Sequence, residues 1–290
     1  MPGMDELKDV MGMAADNPVI PDDAVSYYQY CTAIPIATLL AQTWDPEAIA
    51  EAGDIVGEKM NELGVTLWLA PGMNIQRNPL CGRNFEYYSE DPYISGVCAA
   101  ADTLGVQTHP GIGTVIKHFA FNNQEDNRMH VNAHVGKRAA REIYLKGFEI
   151  AVRYAQPMSI MSSYNLINGT HTANSSDLLT AIACDEWGFE GFVMTDWGTT
   201  GGMEMNPGNI CKYGVSNAAA CIKAGNDLTM PGSQEDVDEI IRSVGAEEGS
   251  VICPISLGDL QACAKRILKI ILQSSAYENS VPYAASAGKL

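Results

Sequence analysis

The chain has 290 residues, of which 46% are hydrophobic and 18% charged, which is typical of a globular protein and enough for one large domain. Its formal charge of −17, from 35 acidic against 18 basic residues, repels phosphate backbones and argues against a nucleic-acid partner. No apolar run approaches the roughly 18 residues needed to cross a bilayer and no secretion leader is visible, so we expect no membrane partner and a cytoplasmic location.

The N-terminal third begins without regular patterning. Residues 1–30 predict an irregular arm, because they contain prolines and few apolar repeats. A first strand is expected at about 38–43. Asp45-Pro46 then predicts the start of a helix, with Asp as the N-cap and Pro in the first turn, and Gly64 predicts its end.

From residue 65 onward, apolar runs of strand length alternate with helical patterns, which indicates an α/β fold with a parallel sheet and helices outside it. Five such runs, together with the one at 38–43, predict six strands. An eight-stranded barrel needs two more, and residues 251–254 could supply one of them. The further strands are expected at 65–70, 114–119, 158–164, 191–198 and 226–230, and the helices at about 92–107, 137–154, 176–187 (capped by Ser176), 215–224 and 256–275.

Eight cysteines are scattered along the chain without any C-x-x-C pair, which favours a reduced protein over a disulfide scaffold. We assign none of them to catalysis or to a metal, and no His/Asp/Cys cluster has the spacing of a metal site. They are Cys31, Cys81, Cys98, Cys184, Cys211, Cys221, Cys253 and Cys263.

The strand that ends at Asp196 is the most informative of these elements. Buried parallel strands read as continuous apolar runs, and barrel enzymes place their chemistry at the carboxyl ends of such strands. An acid followed by Trp197 suits a nucleophile beside an aromatic platform for a sugar. The alternative is that Asp196 caps the following turn.

Polar clusters also follow three other predicted strands, at 74–92, 117–128 and 162–165. Loops at the carboxyl ends of barrel strands converge over one mouth, so these clusters would line a single polar cavity suited to sugar hydroxyls. In a regular strand, Lys117 and His118 would point to opposite faces. We therefore expect an irregular backbone at this point, so that both side chains reach the cavity.

The motifs within these clusters resemble the signature set of glycoside hydrolase family 3, the β-glucosidase family. The resemblance runs from about Cys31 to Ala276, with the motifs in the expected order and spacing. The motifs are Gly82–Glu86 with Ser89–Pro92, Lys117–Ala120 with Asn122–Glu125, Ser163–Asn165, and Thr195–Trp197.

The resemblance implies a (β/α)8-like, TIM-type barrel over residues 31–276, here incomplete at its first strand, followed by a linker-like tail at 277–290. It implies a retaining glycosidase of the β-glucosidase type that removes terminal non-reducing β-D-glucosyl or related residues through a covalent glycosyl-Asp196 intermediate, without a cofactor. The expected ligand is a β-glucoside or oligosaccharide.

Carried over residue by residue, Asp196 matches the family nucleophile. The matching substrate-binding residues are Arg83, Lys117 and His118, which would hydrogen-bond the sugar, Arg128 and Tyr164, which would hold the nucleophile, and Trp197, which would pack on the sugar. Four acids in the same loops are expected to brace those loops rather than catalyse, and Arg83 to bind both sugar and an acid. These four are Glu86, Glu90, Asp91 and Glu125.

The chain departs from the family in two ways. Residues 1–30 contain no Asp-Gly-Pro motif of the kind that normally grips the sugar from the first strand in this family. We also expect no second α/β-sandwich domain, which in the family normally supplies the acid/base glutamate, within these 290 residues. We therefore expect an incomplete active site, completed by a second domain or subunit. The alternatives are a non-catalytic sugar-binding barrel, the barrel subunit of a split enzyme, and a Schiff-base enzyme that uses Lys117.

Overall fold

The centre of the fold is a curled parallel sheet. The computed structural model describes residues 31–200, 216–250 and 253–277, and the predicted arm at 1–30 and the tail from 278 onward lie outside them. The described strands, in chain order, are β1 (Leu67–Trp68), β2 (Gly113–Phe119), β3 (Asn132–Ala133), β4 (Ser159–Ser162), β5 (Leu166–Ile167), β6 (Thr170–His171), β7 (Phe192–Trp197) and β8 (Leu228–Met230).

Five of these strands pair in the order β1-β2-β4-β7-β8, and every pairing is parallel. Within the described residues, β1 and β8 are the two edges and the sheet does not close into a ring. The remaining strands β3, β5 and β6 form a small separate sheet. The predicted α/β class and the incomplete (β/α)8-like barrel are thereby confirmed.

Helices follow the strands, as expected for a barrel of this type. The α-helices are α1 (Ala37–Gln42), α2 (Pro46–Leu63), α3 (Pro92–Val106), α4 (Lys137–Ala139), α5 (Lys146–Ala155), α6 (Ala218–Ala224), α7 (Gln234–Ser243) and α8 (Leu257–Gln273). Two π-helical segments, Ala140–Tyr144 and Asp177–Glu186, and two 3₁₀ turns, Asn84–Glu86 and Thr172–Asn174, complete the helical structure of the described residues. None of the described helices has the length and apolarity of a membrane-spanning segment.

Local sequence signals account for the ends of α2. The Asp45 carboxylate accepts the backbone N–H groups of Glu47 and Ala48 at 3.0 and 3.3 Å, which satisfies two donors of the first turn. Gly64 ends the helix in the left-handed region, with φ of 67°. Both signals act where the sequence predicted them.

Both faces of the sheet are buried. Side chains alternate between the two faces along each strand, and each face packs into its own hydrophobic cluster. One cluster contains Ile116, Phe119, Ile160 and Val193, and the other contains Val115, Met161, Phe192, Met194 and Ile270.

The helices α2 and α3 approach each other closely. A Cβ built on Gly105 of α3 would lie 2.1 Å from the carbonyl oxygen of Ala50 in α2.

A buried ion pair joins the last helix to the sheet. Asp227, which precedes β8 and whose side chain is fully buried, accepts Arg266 of α8 through both carboxylate oxygens, at 2.6 to 3.0 Å. The same carboxylate accepts the backbone N–H of Val193 in β7 at 2.8 Å. One carboxylate therefore fixes α8 against two neighbouring strands.

Two predictions of secondary structure are wrong. The segment 38–43 is not a strand, because Ala37–Gln42 forms α1 with Leu40 buried and Leu39 56% exposed. An apolar run as short as Leu39–Ala41 fits either element, and only packing decides between them. Ser176 does not cap the helix that follows it: it already has helical dihedrals, and Ser175 Oγ accepts the N–H of Leu178 instead.

One further helix was not predicted, and one candidate strand is only partly described by the structure. The helix α7 was not predicted, although Ser233 and Asp236 form a reciprocal capping box at its start. Of the candidate strand at 251–254, residues 251 and 252 lie outside the described residues, and Ile255 just beyond it forms an isolated bridge with Val244.

Candidate active site

The predicted site residues converge at the carboxyl ends of three neighbouring strands. Lys117 and His118 lie near the end of β2, Tyr164 follows β4, and Asp196 and Trp197 end β7. These strands are adjacent in the sheet, and the carboxyl ends of parallel strands share one edge. Arg83 and Arg128 reach the same region from the loops after β1 and β2.

Asp196 is the central carboxylate of this region and is 8% exposed. Its Oδ1 accepts the backbone N–H of Trp197 at 2.7 Å, whereas its Oδ2 has no hydrogen-bond partner within the described residues. The imidazole nitrogen Nε2 of His118 lies 3.6 Å from Oδ2. One carboxylate oxygen is therefore held by a hydrogen bond, and the other is buried without one within the described residues.

Burial raises the pKa of Asp196 above its usual value, and the Trp197 N–H and the positive charges of Arg83, Arg128 and Lys117 oppose that rise. Desolvation makes the carboxylate more reactive towards an electrophile, while the three cations favour its ionised form. This combination is typical of a functional carboxylate.

Glu86 holds two of these cations together. Its Oε1 lies 2.8 Å from Lys117 Nζ, and Arg83 donates to both of its oxygens at 2.7 and 3.0 Å. Burial alone would raise the pKa of Glu86, but the hydrogen bonds and charges of Arg83 and Lys117 outweigh it and the pKa is lowered. Glu86 is therefore an ionised brace, as the sequence predicted.

Glu125 holds the third cation in the same way. Arg128 donates to Glu125 Oε2 at 2.9 Å, and the guanidinium carbon of Arg128 lies 4.9 Å from the centre of the Tyr164 ring. The Tyr164 hydroxyl donates to the carbonyl oxygen of Trp197 at 2.6 Å, next to Asp196. Arg128 and Tyr164 thus form one wall of the site.

The end of β2 has the irregular backbone that was predicted. The register with β4 shifts between Ile116 and Phe119, and the peptide bonds Lys117–His118 and Phe119–Ala120 are cis. Asn74 holds the segment in place: its side chain accepts the N–H of His118 and donates to the carbonyl oxygen of His118, both at 2.9 Å. Both Lys117 and His118 consequently contact groups of the same site.

Three residues of this region, Asn74, Tyr87 and Asn122, lie in the predicted polar clusters, but no role was predicted for them. The Tyr87 hydroxyl lies 3.2 Å from His118 Nδ1 and accepts Asn122 Nδ2 at 2.9 Å. Tyr87 and Asn122 lie within or between the quoted motifs and Asn74 lies just before them, but nothing in the local pattern indicates which buried side chain each one contacts.

The side chain of Trp197 makes fewer polar contacts within the described residues than the side chains of the other predicted site residues. Its indole Nε1 is buried without a hydrogen-bond partner among the described residues. Its backbone, by contrast, contacts both Asp196 and Tyr164.

Comparisons with known proteins identify the family of this chain. The family model described as the N-terminal domain of glycosyl hydrolase family 3 matches residues 24–270. The chain is 45% identical over 223 residues to an exo-alpha-(1->6)-L-arabinopyranosidase of Bifidobacterium breve, covering 77% of this chain and 27% of that protein. It is 47% identical over 195 residues to beta-glucosidase A of Butyrivibrio fibrisolvens, covering 67% and 23%.

Solved structures give the same result. Beta-glucosidase 3B from Thermotoga neapolitana, in complex with glucose, superimposes with a TM-score of 0.77 at 44% identity, covering 91% of this chain and 34% of that one. The chain thus spans about a quarter of the length of the curated relatives it matches.

Proposed function

Because the chain belongs to glycosyl hydrolase family 3, whose N-terminal domain it matches over residues 24–270, we propose that it forms the nucleophile-bearing part of a retaining β-glucosidase-like glycosidase. The observation that carries this proposal is the environment of Asp196. A buried carboxylate with one fixed and one unpartnered oxygen, close to the charges of Arg83, Arg128 and Lys117, suits attack on a sugar.

In the proposed reaction, Asp196 Oδ2 forms a bond to the anomeric carbon while the bond from that carbon to the leaving oxygen breaks. The leaving oxygen takes a proton from a general acid. Water, deprotonated by the same group, then hydrolyses the glycosyl-Asp196 ester and regenerates the carboxylate.

Three side chains are proposed to bind the sugar. Arg83 and Lys117 carry several N–H donors and share Glu86, which limits their freedom and directs their remaining donors. His118 is 1% exposed, and burial together with the nearby cations lowers its pKa well below its usual value, so its imidazole is neutral. The remaining proposed roles are held by Arg128 and Tyr164, beside the nucleophile, and by Trp197, against the sugar face.

The proposed substrate is a terminal β-D-glucosyl or related pyranosyl residue. The relatives' names support this class, since they include beta-glucosidases and an arabinopyranosidase. The polar lining of the site supports a neutral, hydroxyl-rich ligand.

The general acid/base is proposed to come from a second domain or subunit. A retaining enzyme needs a protonated carboxyl about 5–5.5 Å from its nucleophile. Glu86 is unsuited, because its pKa is lowered, and Glu125 is ion-paired with Arg128. The relatives, at roughly four times the matched length, have room for such a domain.

The test is covalent labelling with 2-deoxy-2-fluoro-β-glucosyl fluoride, whose fluoride leaves without protonation. We expect mass spectrometry to find one fluoroglucosyl group on the peptide that contains Asp196 and none on Asp196→Ala. Glu90→Gln, which alters an exposed acid of the neighbouring loop, is the matched control and should label like the parent chain.

A label on another carboxylate of Asp196→Ala would refute the assignment of the nucleophile. Glucose binding without any label on the parent chain would instead favour the sugar-binding barrel.

A further inference from the structure

We propose that Tyr87 is a positioning residue that sets the tautomer of His118, so that the neutral imidazole carries its proton on Nε2 and directs it towards Asp196. The proposal rests on the proposed function only in one respect, namely that a sugar is the ligand that meets this donor. The arrangement of hydrogen bonds argues for the tautomer by itself.

The direction of the hydrogen bonds is fixed at Glu125. This carboxylate is paired with Arg128 at 2.9 Å and can therefore only accept. The Asn122 side-chain atom that lies 3.2 Å from Glu125 Oε1 must then be the amide nitrogen. The same nitrogen lies 2.9 Å from the Tyr87 hydroxyl, so that Tyr87 accepts a hydrogen bond from Asn122.

The Tyr87 hydroxyl must therefore donate elsewhere. Tyr87 is fully buried, at 0% exposure, and a buried hydroxyl without an acceptor is costly. Among the described contacts of this hydroxyl, Asn122 is a donor and His118 Nδ1, at 3.2 Å, is the atom able to accept. His118 Nδ1 thus presents its lone pair to Tyr87, and the ring proton resides on Nε2.

One contact favours the opposite tautomer. Asn74 Oδ1 lies 3.4 Å from His118 Nδ1 and could accept a proton there. This oxygen already accepts the backbone N–H of His118 at 2.9 Å, so it loses nothing when Nδ1 is unprotonated. The Tyr87 hydroxyl, in contrast, would lose its acceptor if Nδ1 carried the proton.

The surroundings of Nε2 also favour the tautomer that carries the proton on Nε2. Asp196 Oδ2 lies 3.6 Å away and has no hydrogen-bond partner within the described residues. A bare Nε2 would direct its lone pair at this carboxylate, whereas an Nε2–H directs a positive dipole at it. Because burial and nearby positive charge keep the ring neutral, the choice lies between these two tautomers alone.

The consequence is a donor at a defined place. With Nε2 protonated, His118 can donate to a sugar hydroxyl bound beside Asp196 but cannot accept from one. Loss of the Tyr87 hydroxyl removes one of the two contacts that disfavour the tautomer in which Nδ1 donates to Asn74, and Asp196 Oδ2 is the other. The donor at Nε2 is then lost in a fraction of the molecules.

The experiment is a two-bond ¹H–¹⁵N correlation spectrum of the full chain labelled with ¹⁵N in its histidine rings. The pattern of cross-peaks distinguishes the two neutral tautomers directly, and the signals missing in His118→Gln identify His118. We expect the Nε2–H pattern in the parent chain. The Nδ1–H pattern there would overturn the proposal, whatever the variants do.

The variants test the part played by Tyr87. In Tyr87→Phe we expect a substantial fraction of the Nδ1–H tautomer. Tyr88→Phe is the matched control, because Tyr88 is equally buried and adjacent but donates to Asp102 at 2.6 Å; it should leave the His118 pattern unchanged. An unaltered pattern in folded Tyr87→Phe would show that Tyr87 does not set the tautomer.

The spectrum needs neither substrate nor turnover. A chain that is never labelled by the fluoroglucoside, but shows an Nε2–H pattern that is altered in Tyr87→Phe, would contradict the proposed function and support the positioning role of Tyr87. A chain that is labelled and shows the Nδ1–H pattern would do the reverse.

Discussion

At Asp196 two opposing influences act on one carboxylate. Burial raises its pKa, while Arg83, Arg128 and Lys117 favour the charged form. Each of these cations is itself held by an acid, Glu86 or Glu125. The bracing acids therefore fix the positive charges in place, and the protonation state of Asp196 depends on charges whose positions are set by its neighbours.

Replacing Arg128 by Met should make Asp196 harder to ionise. Because an ionised carboxylate is needed for attack and protonation abolishes it, loss of a nearby positive charge should shift the acid limb of labelling to higher pH. The measurement is the pH dependence of the rate of inactivation by the fluoroglucoside. Arg77→Met is the control, since Arg77 lies over the Tyr144 ring instead. An acid limb at the same pH in both variants would contradict this electrostatic role.

At the scale of elements, the fold depends on a few buried polar contacts between helices and strands. Asp227 joins α8 to β7 and β8, and Asp102 of α3 accepts the Tyr88 hydroxyl. The two carboxylates differ in their partners. Asp227 has a cation, whereas the partner recorded for Asp102 is a neutral hydroxyl, so they should respond differently to mutation and pH.

Arg266→Ala should destabilise the chain by about 3–5 kcal/mol, because it leaves the Asp227 carboxylate buried without its counter-charge. Lys269→Ala on the same helix removes an exposed pair with Glu190 and should cost at most about 1 kcal/mol. Urea denaturation, followed by circular dichroism, measures both. Equal losses for the two variants would mean that the buried pair has no special weight.

Asp102 should make stability fall as pH rises. Burial raises the pKa of Asp102 to about 7, so the folded state retains a proton that the unfolded state releases near pH 4. Its contribution is fully present below about pH 4 and is lost as pH rises to about 7; the difference corresponds to on the order of 4 kcal/mol.

Asp102→Asn, which keeps an acceptor for Tyr88, should remove this fall and be more stable than the parent chain above pH 7. Thermal unfolding between pH 4 and 8 measures the effect. Asp126→Asn, an exposed loop substitution, is the control. Parallel curves for the parent chain and Asp102→Asn would rule out the titration of Asp102 as the cause.

At the scale of the whole molecule, the chain matches one part of longer relatives. It spans about a quarter of their length, and its described strands form an open parallel sheet rather than a closed ring. The site at the edge of that sheet has a candidate nucleophile and candidate sugar-binding residues. Glu86 and Glu125, two further acids of the site, are held in ion pairs.

Acting alone, the chain should therefore hydrolyse cellobiose poorly, since protonation of a leaving oxygen contributes about 10²–10⁴-fold. An aryl glucoside with an acidic phenol needs little protonation and should release a burst of phenol. Azide, a nucleophile that needs no general base, should then accelerate turnover and yield glucosyl azide. Turnover of cellobiose at the rate of a complete β-glucosidase would show that an acid of this chain, Glu125 or Glu86, serves as acid/base.

Local signals were enough to predict the main elements and the position of the candidate nucleophile. The apolar run before Asp196, the cap at Asp45 and the stop at Gly64 each act within a few residues, and the structure agrees with them. The same signals failed at 38–43, where a short apolar run fits a strand or a helix equally well.

What only the tertiary structure decided are contacts between residues far apart in the chain. Asn74 holds the backbone of His118 across 44 residues, Tyr87 reaches the ring of His118 across 31, and Asp227 pairs with Arg266 across 39. No periodicity or spacing encodes such pairs, because each depends on which strands and loops lie side by side. The sequence alone determined the α/β class and the residue types at the strand ends; burial and the direction of each hydrogen bond, which set the charge of Asp196 and the tautomer inferred for His118, exist only once those strands are packed together.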